Sequence, residues 1–381
     1  MFVEEQNQNN VQYYQKMLKA AGSLSNLFSE SPQPYLGYRL VENLFCKSFE
    51  AENLSRFDCS VDASKESVGI GVKTFLYKNG KSFEKIAEFN KELDLFRGLN
   101  PDNMVKKISE LRNQRLEFTR RNYRISDILY HCVVRNTGKI IVYETPMHSI
   151  NLNRIRSIDS KRNTLSFKDN LNEYRFNIAK STLFRQFIAQ DFALDFNVEI
   201  ISDPFKALEK LLDISAEELV FVPIREQPHV FLPLYSGRSG TKNVPEKSGL
   251  NQWNASGRPR DPNEIYIPIP AWIHRDYPDF FPERDTTFNL RLPNGDILNA
   301  KVCQDNAKAL MTNPNAAMGR WLLRDVLGLQ EREPLTYEML EAIGLDTVVI
   351  YKENEENFEI EFSRIGTYES FKGELTATEN D

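Results

Sequence analysis

Between Ser248 and Leu327 the chain alternates polar loops with short apolar segments, and that alternation limits what it can build. The first loop reads Ser-Gly-Leu-Asn-Gln-Trp-Asn-Ala-Ser-Gly-Arg-Pro-Arg up to Arg260, and Glu-Ile-Tyr-Ile-Pro-Ile-Pro follows from Glu264. The second runs Val-Cys-Gln-Asp-Asn-Ala-Lys-Ala-Leu-Met-Thr-Asn-Pro-Asn from Val302 and leads into Gly319-Arg320-Trp321-Leu322-Leu323. Each loop is rich in Asn, Gln, Arg or Lys and is tied to an apolar strand or helix. Arg and Lys donate to guanine, and Asn and Gln pair bidentately with adenine. A mostly β scaffold presenting two such loops is suited to a DNA major groove.

At 381 residues the chain is long enough for two domains with separate cores. Its 41% hydrophobic and 27% charged content is that of a soluble globular protein. The net charge of −6 excludes a uniformly basic nucleic-acid binder, but not one that contacts phosphates through local basic surfaces. Cys46, Cys59, Cys132 and Cys303 form no CxxC pair, which argues against a zinc site or disulfide frame and fits a reducing cytoplasm. The polar, acidic start is unlike a signal peptide, and no apolar run reaches membrane-spanning length.

Helical spacing places Tyr14, Leu18, Ala21 and Leu24 on one side of residues 11–28, before Ser31-Pro32-Gln33-Pro34 breaks the pattern. A second helix is expected over Tyr35–Phe49. Two strands joined by a polar turn are expected over 57–77, a helix from Ser82 to about Leu95, and a longer helix from about Asp102 to Tyr123 after the Asn100-Pro101 start signal. Residues 128–180 read as strands and hairpins. The expected organisation is a first domain at 1–195, a connector at 196–229, a mostly β second domain at 230–365 and an acidic, mobile tail at 366–381. From Glu353 onward nine acidic residues stand against two basic ones.

The phrases Gly-Leu-Asn, Tyr-Ile-Pro-Ile-Pro and Gly-x-Trp-Leu-Leu occur in an order that resembles the plant B-three-type DNA-binding pseudobarrel. Restriction endonucleases use that domain for recognition or as an effector module, and the NgoFVII-like, BfiI C-terminal and EcoRII N-terminal domains are similar to residues 230–365. The resemblance implies two recognition arms. The first spans Asn251–Arg260, with Trp253, Asn254, Arg258 and Arg260 as contacts. The second spans Gln304–Asn315, with Gln304, Asp305, Asn306, Lys308 and Asn313. Trp272, Trp321, Leu322 and Leu323 are expected in the core instead.

Upstream, Val61-Asp62 precedes Gly69-Ile70-Gly71-Val72-Lys73-Thr74. This stretch resembles the MutH and MvaI branch of the PD-(D/E)XK nucleases, in which an Asp and an acid-x-Lys strand hold a divalent cation, usually Mg²⁺. The resemblance implies an α+β chain: a mixed α/β nuclease domain followed by the pseudobarrel. It assigns Asp62 as first acid, Lys73 as the lysine and Glu42 as the helical Glu. The acid expected two residues before Lys73 is Gly71, which cannot bind metal. Either the acid has moved to the next helix, where Glu84 and Glu88 stand one turn apart, or the site is degenerate. On the first reading Asp62, Glu42 and Glu88 hold the metal.

The long helix carries Lys106, Lys107, Arg112 and Arg115, which are either a solvated face or phosphate contacts. None of His131, His148, His229 and His274 begins a His-x-Lys, which disfavours the phospholipase-D-type nuclease domain often found in the NgoFVII-like group. No GxxxxGK[ST] occurs. The expectation is a type II restriction endonuclease that cuts double-stranded DNA with Mg²⁺, has a cognate methyltransferase as genetic partner, and either dimerises or cuts the strands in succession. The alternatives are an inactive sequence-specific DNA-binding protein and a MutH-like nicking nuclease.

Overall fold

The computed structural model describes residues 1–212, 227–237 and 240–378. The chain divides into two compact units: Met1–Asn113 with Ile125–Ile224, and Gln114–Arg124 with Arg225–Asp381. Part of the stretch expected as a connector, residues 213–226, lies outside the described residues.

The first unit opens with three helices, α1 (Phe2–Glu5), α2 (Gln8–Ser23) and α3 (Tyr38–Phe49). The Asn7 side chain caps α2 by accepting from the Asn9 N–H at 2.9 Å. Val11, Tyr14 and Leu18 of α2, and Val41, Leu44, Phe45 and Phe49 of α3, recur at helical spacing and are buried. They pack on one face of a six-stranded sheet, against Ile70, Val72, Val133, Ile140 and Val142. The strands of this sheet are β1 (Glu52–Asn53), β2 (Ala63–Lys65), β3 (Val68–Leu76), β5 (Asp127–Asn136), β6 (Lys139–Pro146) and β11 (Phe192–Asn197) in that spatial order. Among the described residues only β3 and β5 of this sheet run parallel, with Lys73 opposite Cys132 and Gly71 opposite Tyr130. In mid-sheet, His131 is fully buried between the Tyr14 hydroxyl at 2.9 Å and Glu144 Oε1 at 3.0 Å, which ties α2 to the sheet.

The second sheet is antiparallel, in the order β4 (Lys81–Glu88), β10 (Thr182–Ile188), β9 (Glu173–Asn177), β8 (Thr164–Lys168), β7 (Arg156–Lys161). Here the sequence expectation fails. Residues 82–88 form a strand and not a helix, followed by a 3₁₀ stretch over Asn90–Leu95. Lys, Glu and Ala favour a helix locally, but β4 pairs with β10 along its whole length, and that pairing overrides the propensity. The long helix does form, as α4 (Pro101–Asn122), with its residues from Gln114 onward in the second unit; it is started by the Asn100 side chain accepting from Asn103 N–H at 2.9 Å. A short α5 (Phe205–Leu212) ends the described part of this unit.

The second unit is built on a seven-stranded sheet in the order β12 (His229–Pro233), β17 (Leu345–Lys352), β18 (Asn357–Arg364), β14 (Thr287–Arg291), β15 (Ile297–Cys303), β16 (Ala309–Thr312), β13 (Ile267–Pro268). Among the described residues its one parallel pair is β14–β18. Trp321, Leu322, Leu323, Met318 and Val326 enter its core from α7 (Ala317–Gly319) and the π-helical stretch Arg320–Val326 that continues it. Two further helices, α6 (Ala271–Asp276) and α8 (Tyr337–Ile343), flank the sheet. Gly319 is required where it stands: a Cβ there would lie 1.9 Å from the Asn263 carbonyl oxygen.

The acidic stretch expected as a mobile tail holds a helix, α9 (Thr367–Thr378). The charge count concealed an apolar stripe. Phe371 stacks with Tyr277 and packs on Trp272 and Phe231, and Tyr368 accepts from the Trp272 indole at 2.9 Å.

Candidate functional sites, one in each unit

In the first unit a short segment gathers three of the expected residues. Asp62 lies just before β2, where its backbone N–H donates to Ile70 at 2.8 Å and its Oδ2 accepts from the Val72 N–H at 2.8 Å. The backbone of β3 therefore clamps the carboxylate against the strand that carries Lys73. Burial raises the Asp62 pKa, while Lys73, the Val72 N–H and Arg39 oppose the rise. Glu42 on α3 is buried, and its pKa is raised first by burial and then by the Asp62 charge, with Arg39 acting the other way. Glu42, Asp62 and Lys73 thus share one electrostatic environment in which two carboxylates repel each other.

Sequence reading missed the arginine that partners them. Arg39 Nη1 donates to Glu42 Oε2 at 3.0 Å and to the Ser55 carbonyl at 2.7 Å. Its position three residues before Glu42 on one helix was the available signal. Lys73 Nζ lies 6.0 Å from the centre of the Tyr130 ring, and the Tyr130 hydroxyl accepts from Arg112 at 3.1 Å.

Arg112 needs correction as a phosphate contact. Its residue is 3% exposed, and it is held by Tyr130 and by Ser60 Oγ at 3.3 Å, so it is an internal strut. Lys106 is exposed on the same helix, and Lys107 and Arg115 are half-buried. We expect Arg112→Ala to lower the unfolding free energy by about 2–3 kcal/mol, because it strips a buried hydroxyl of a charged partner. A urea midpoint equal to that of the wild type would refute this.

Glu84 and Glu88 do not join this site by the expected route. They lie on strand β4 of the other sheet, not one turn apart on a helix. Glu84 is hydrogen-bonded to Ser82, and Glu88 to Lys85 and Asn90. Position 71 is also closed. A Cβ on Gly71 would meet Met147 Cε at 2.6 Å and Tyr130 Cδ1 at 3.2 Å. The Met147 methyl can swing away from a Cβ, but the carboxyl of an acid would have to occupy the space filled by the Met147 and Tyr130 side chains.

The remaining donor set is two carboxylates beside a lysine, and no group of three His, Cys, Asp or Glu suited to a metal is found among the described residues. Oxygen ligands suit a hard cation, and Mg²⁺ is commonly held by one or two carboxylates together with substrate phosphate. Burial disfavours the charged form of both carboxylates, and a cation beside them would favour it, so Asp62 and Glu42 fit such an ion.

In the second unit the first expected arm begins in the 3₁₀ stretch Gly249–Asn254 and continues as a loop, the second turns directly into strand β16, and the side chains of both divide. In the first arm, Trp253 is half-buried against the core, and Asn254 is exposed with its amide donating to Glu246 at 3.1 Å. Arg258 and Arg260 both face the buried carboxylate of Glu264. The second arm leaves β15 through Gln304, Asn306 and Ala307, all at positive φ (66°, 58° and 52°). His274 Nε2 holds the turn through the Ala307 carbonyl at 2.9 Å. Asp305, Asn306, Lys308 and Asn313 are exposed, and Gln304 is half-buried.

Residues 229–354 match the family model of the NgoFVII C-terminal B3-like DNA-binding domain. No curated protein matches the chain. Among the described residues no helix is long and apolar enough to cross a membrane.

Proposed function

We propose that this chain is a sequence-specific DNA-binding protein of restriction–modification type. Its second unit grips duplex DNA with the two arms, and its first unit hydrolyses a phosphodiester bond. The observation that carries the catalytic part is the Asp62 carboxylate held by the Val72 N–H, next to Lys73 on β3, with Glu42 of α3 close enough to feel the Asp62 charge. The match over residues 229–354 supports the DNA-binding part.

A bound Mg²⁺ would polarise the scissile phosphate and lower the pKa of an attacking water. The chain's own groups do the rest. Asp62, pinned by the Val72 N–H, and Glu42, held by Arg39, would hold the ion. Lys73 offsets charge on the pentavalent transition state. A type II endonuclease with a cognate methyltransferase, acting as a dimer or on the strands in turn, is the specific form of this reading.

One observation favours a second reading, that of a DNA-binding protein without cleavage. Met147 and Tyr130 close position 71, where the second acid of the motif would stand. Incubating unmethylated phage DNA with Mg²⁺ or with EDTA separates the two. Discrete Mg²⁺-dependent fragments lost in Lys73→Ala support the nuclease. Sequence-specific binding without fragments supports the second reading.

Lys106, exposed on α4, is proposed as a phosphate contact. Lys106→Ala should weaken binding to all duplexes alike and lower the slope of log affinity against log salt by roughly one unit. An unchanged slope removes Lys106 from the interface.

A further inference from the structure

We propose that Glu264 is a positioning residue for base recognition: it aims Arg258 at a guanine edge, while Arg260 staples the loop from within and contacts no base. This rests on the second unit being a DNA-binding domain. The Glu264 side chain is 5% exposed, and a buried carboxylate is costly unless a cation and hydrogen bonds satisfy it. The loop supplies two cations in unequal settings. The Arg260 side chain is 14% exposed, and its Nη1 donates to the carbonyls of Ala255, Ser256 and Arg258 at 2.7, 3.1 and 3.3 Å. Its Nε lies 3.6 Å from Glu264 Oε1. Arg260 therefore closes the loop around Gly257, whose φ of +105° only glycine adopts easily.

Arg258 differs. Its side chain is 54% exposed, and it donates through Nη2 to Glu264 Oε1 and through Nη1 to the Pro259 carbonyl. Those bonds engage two of the five N–H donors of a guanidinium. A guanidinium held on one side by a fixed carboxylate presents the others in a set plane, which bidentate pairing with guanine O6 and N7 requires. The carboxylate itself is fixed. The Glu264 N–H donates to the Asp261 carbonyl at 2.9 Å. Its neighbour Asn263 accepts from Arg324 Nε at 2.8 Å and packs its carbonyl under Gly319. The same chain of contacts that docks α7 therefore holds the base of the recognition loop.

The test is selection from randomised duplex DNA by the full-length protein in EDTA, comparing wild type with Glu264→Gln, Glu264→Asp, Arg258→Ala, Arg258→Lys and Arg260→Ala. Wild type should enrich a sequence containing guanine. Arg258→Ala, Arg258→Lys and Glu264→Gln should each lose preference at one and the same guanine, by about 10-fold or more. Affinity of Glu264→Gln for unselected duplex should not fall, because a negative charge beside the two arginines is removed, and Glu264→Asp should restore part of the preference. Arg260→Ala should lower the thermal midpoint and weaken all sequences without changing any one position. Should Glu264→Gln fail to fold, the Arg258→Lys arm still decides whether a fixed fork, and not just charge, reads the base. Retention of the guanine by Arg258→Lys, or by a folded Glu264→Gln, overturns the inference. So does its loss in Arg260→Ala alone. If wild type enriches no sequence, the DNA-binding reading falls and this inference with it.

Discussion

Asp62→Asn is expected to abolish Mg²⁺-dependent cleavage, by at least about 10³-fold, and at the same time to make the protein more stable. On the proposed role of Asp62, the loss follows from removing a carboxylate that would hold the ion, because several kcal/mol of transition-state stabilisation would depend on it and each 1.36 kcal/mol is about tenfold in rate. The gain follows from the raised pKa, whose leading cause is burial. The sign is that of a carboxyl that prefers its proton in the folded state. Wild type therefore loses stability as pH rises from the ordinary Asp value, 3.8, through the raised folded value, and it carries that deficit at neutral pH. An uncharged amide of the same shape removes the deficit. Relief of strained catalytic groups commonly stabilises by about 0.5–2 kcal/mol, and the thermal midpoint should rise by about 2–4 °C per kcal/mol. Two measurements check this: fragment release from cognate DNA, and thermal melts with and without Mg²⁺. Mg²⁺ should raise the wild-type midpoint and leave that of the variant unmoved. A variant that still cuts, or that melts below wild type at pH 7, contradicts the assignment.

Gly319→Ala should be the most damaging small substitution in the second unit. Adding one methyl group places a Cβ 1.9 Å from the Asn263 carbonyl oxygen, and that oxygen belongs to backbone, not to a flexible side-chain end. Either α7 withdraws from the loop or the loop base moves. Overpacking of this kind costs about 3 kcal/mol, which corresponds to a fall of about 6–12 °C in the melting of a unit this size. Because Asn263 precedes Glu264, base discrimination should weaken beyond what partial unfolding explains. A wild-type melting curve for this variant would mean that the close approach is relieved at no cost.

Part of the fold and of the candidate site is legible in the amino-acid sequence. Asp62, Lys73 and Glu42 can be placed because they lie within one continuous segment, and local spacing carries such information. The helical expectation for residues 82–95 fails because Lys, Glu and Ala describe local preference, whereas strand β4 exists only through pairing with β10, about a hundred residues away in sequence. That failure also removes Glu84 and Glu88 from a shared helix turn. Arg112 looks like part of a basic surface, because sequence cannot tell a solvated arginine from one tied to Tyr130 and Ser60. The acidic count after Glu353 suggests a tail and conceals the Phe371 stripe of α9. In the arms the residue types are readable, but the different settings of Arg258 and Arg260 depend on Glu264, whose burial is a tertiary fact.

The parallel pairing of β3 with β5 has a consequence for the order in which the candidate site assembles. α3, the Asp62 turn and β3 are contiguous, so their mutual approach closes only short loops. β5, which brings Tyr130 alongside Gly71, arrives only after the fifty residues from 77 to 126 have been spanned. Closing a loop of that length carries a greater entropic cost, and strands paired this way form late. In pulsed amide exchange during refolding, the N–H groups of β3 facing β2 should gain protection before those of β5. The carboxylates and the lysine would then meet first on an open strand edge, and the aromatic wall behind them would be added last.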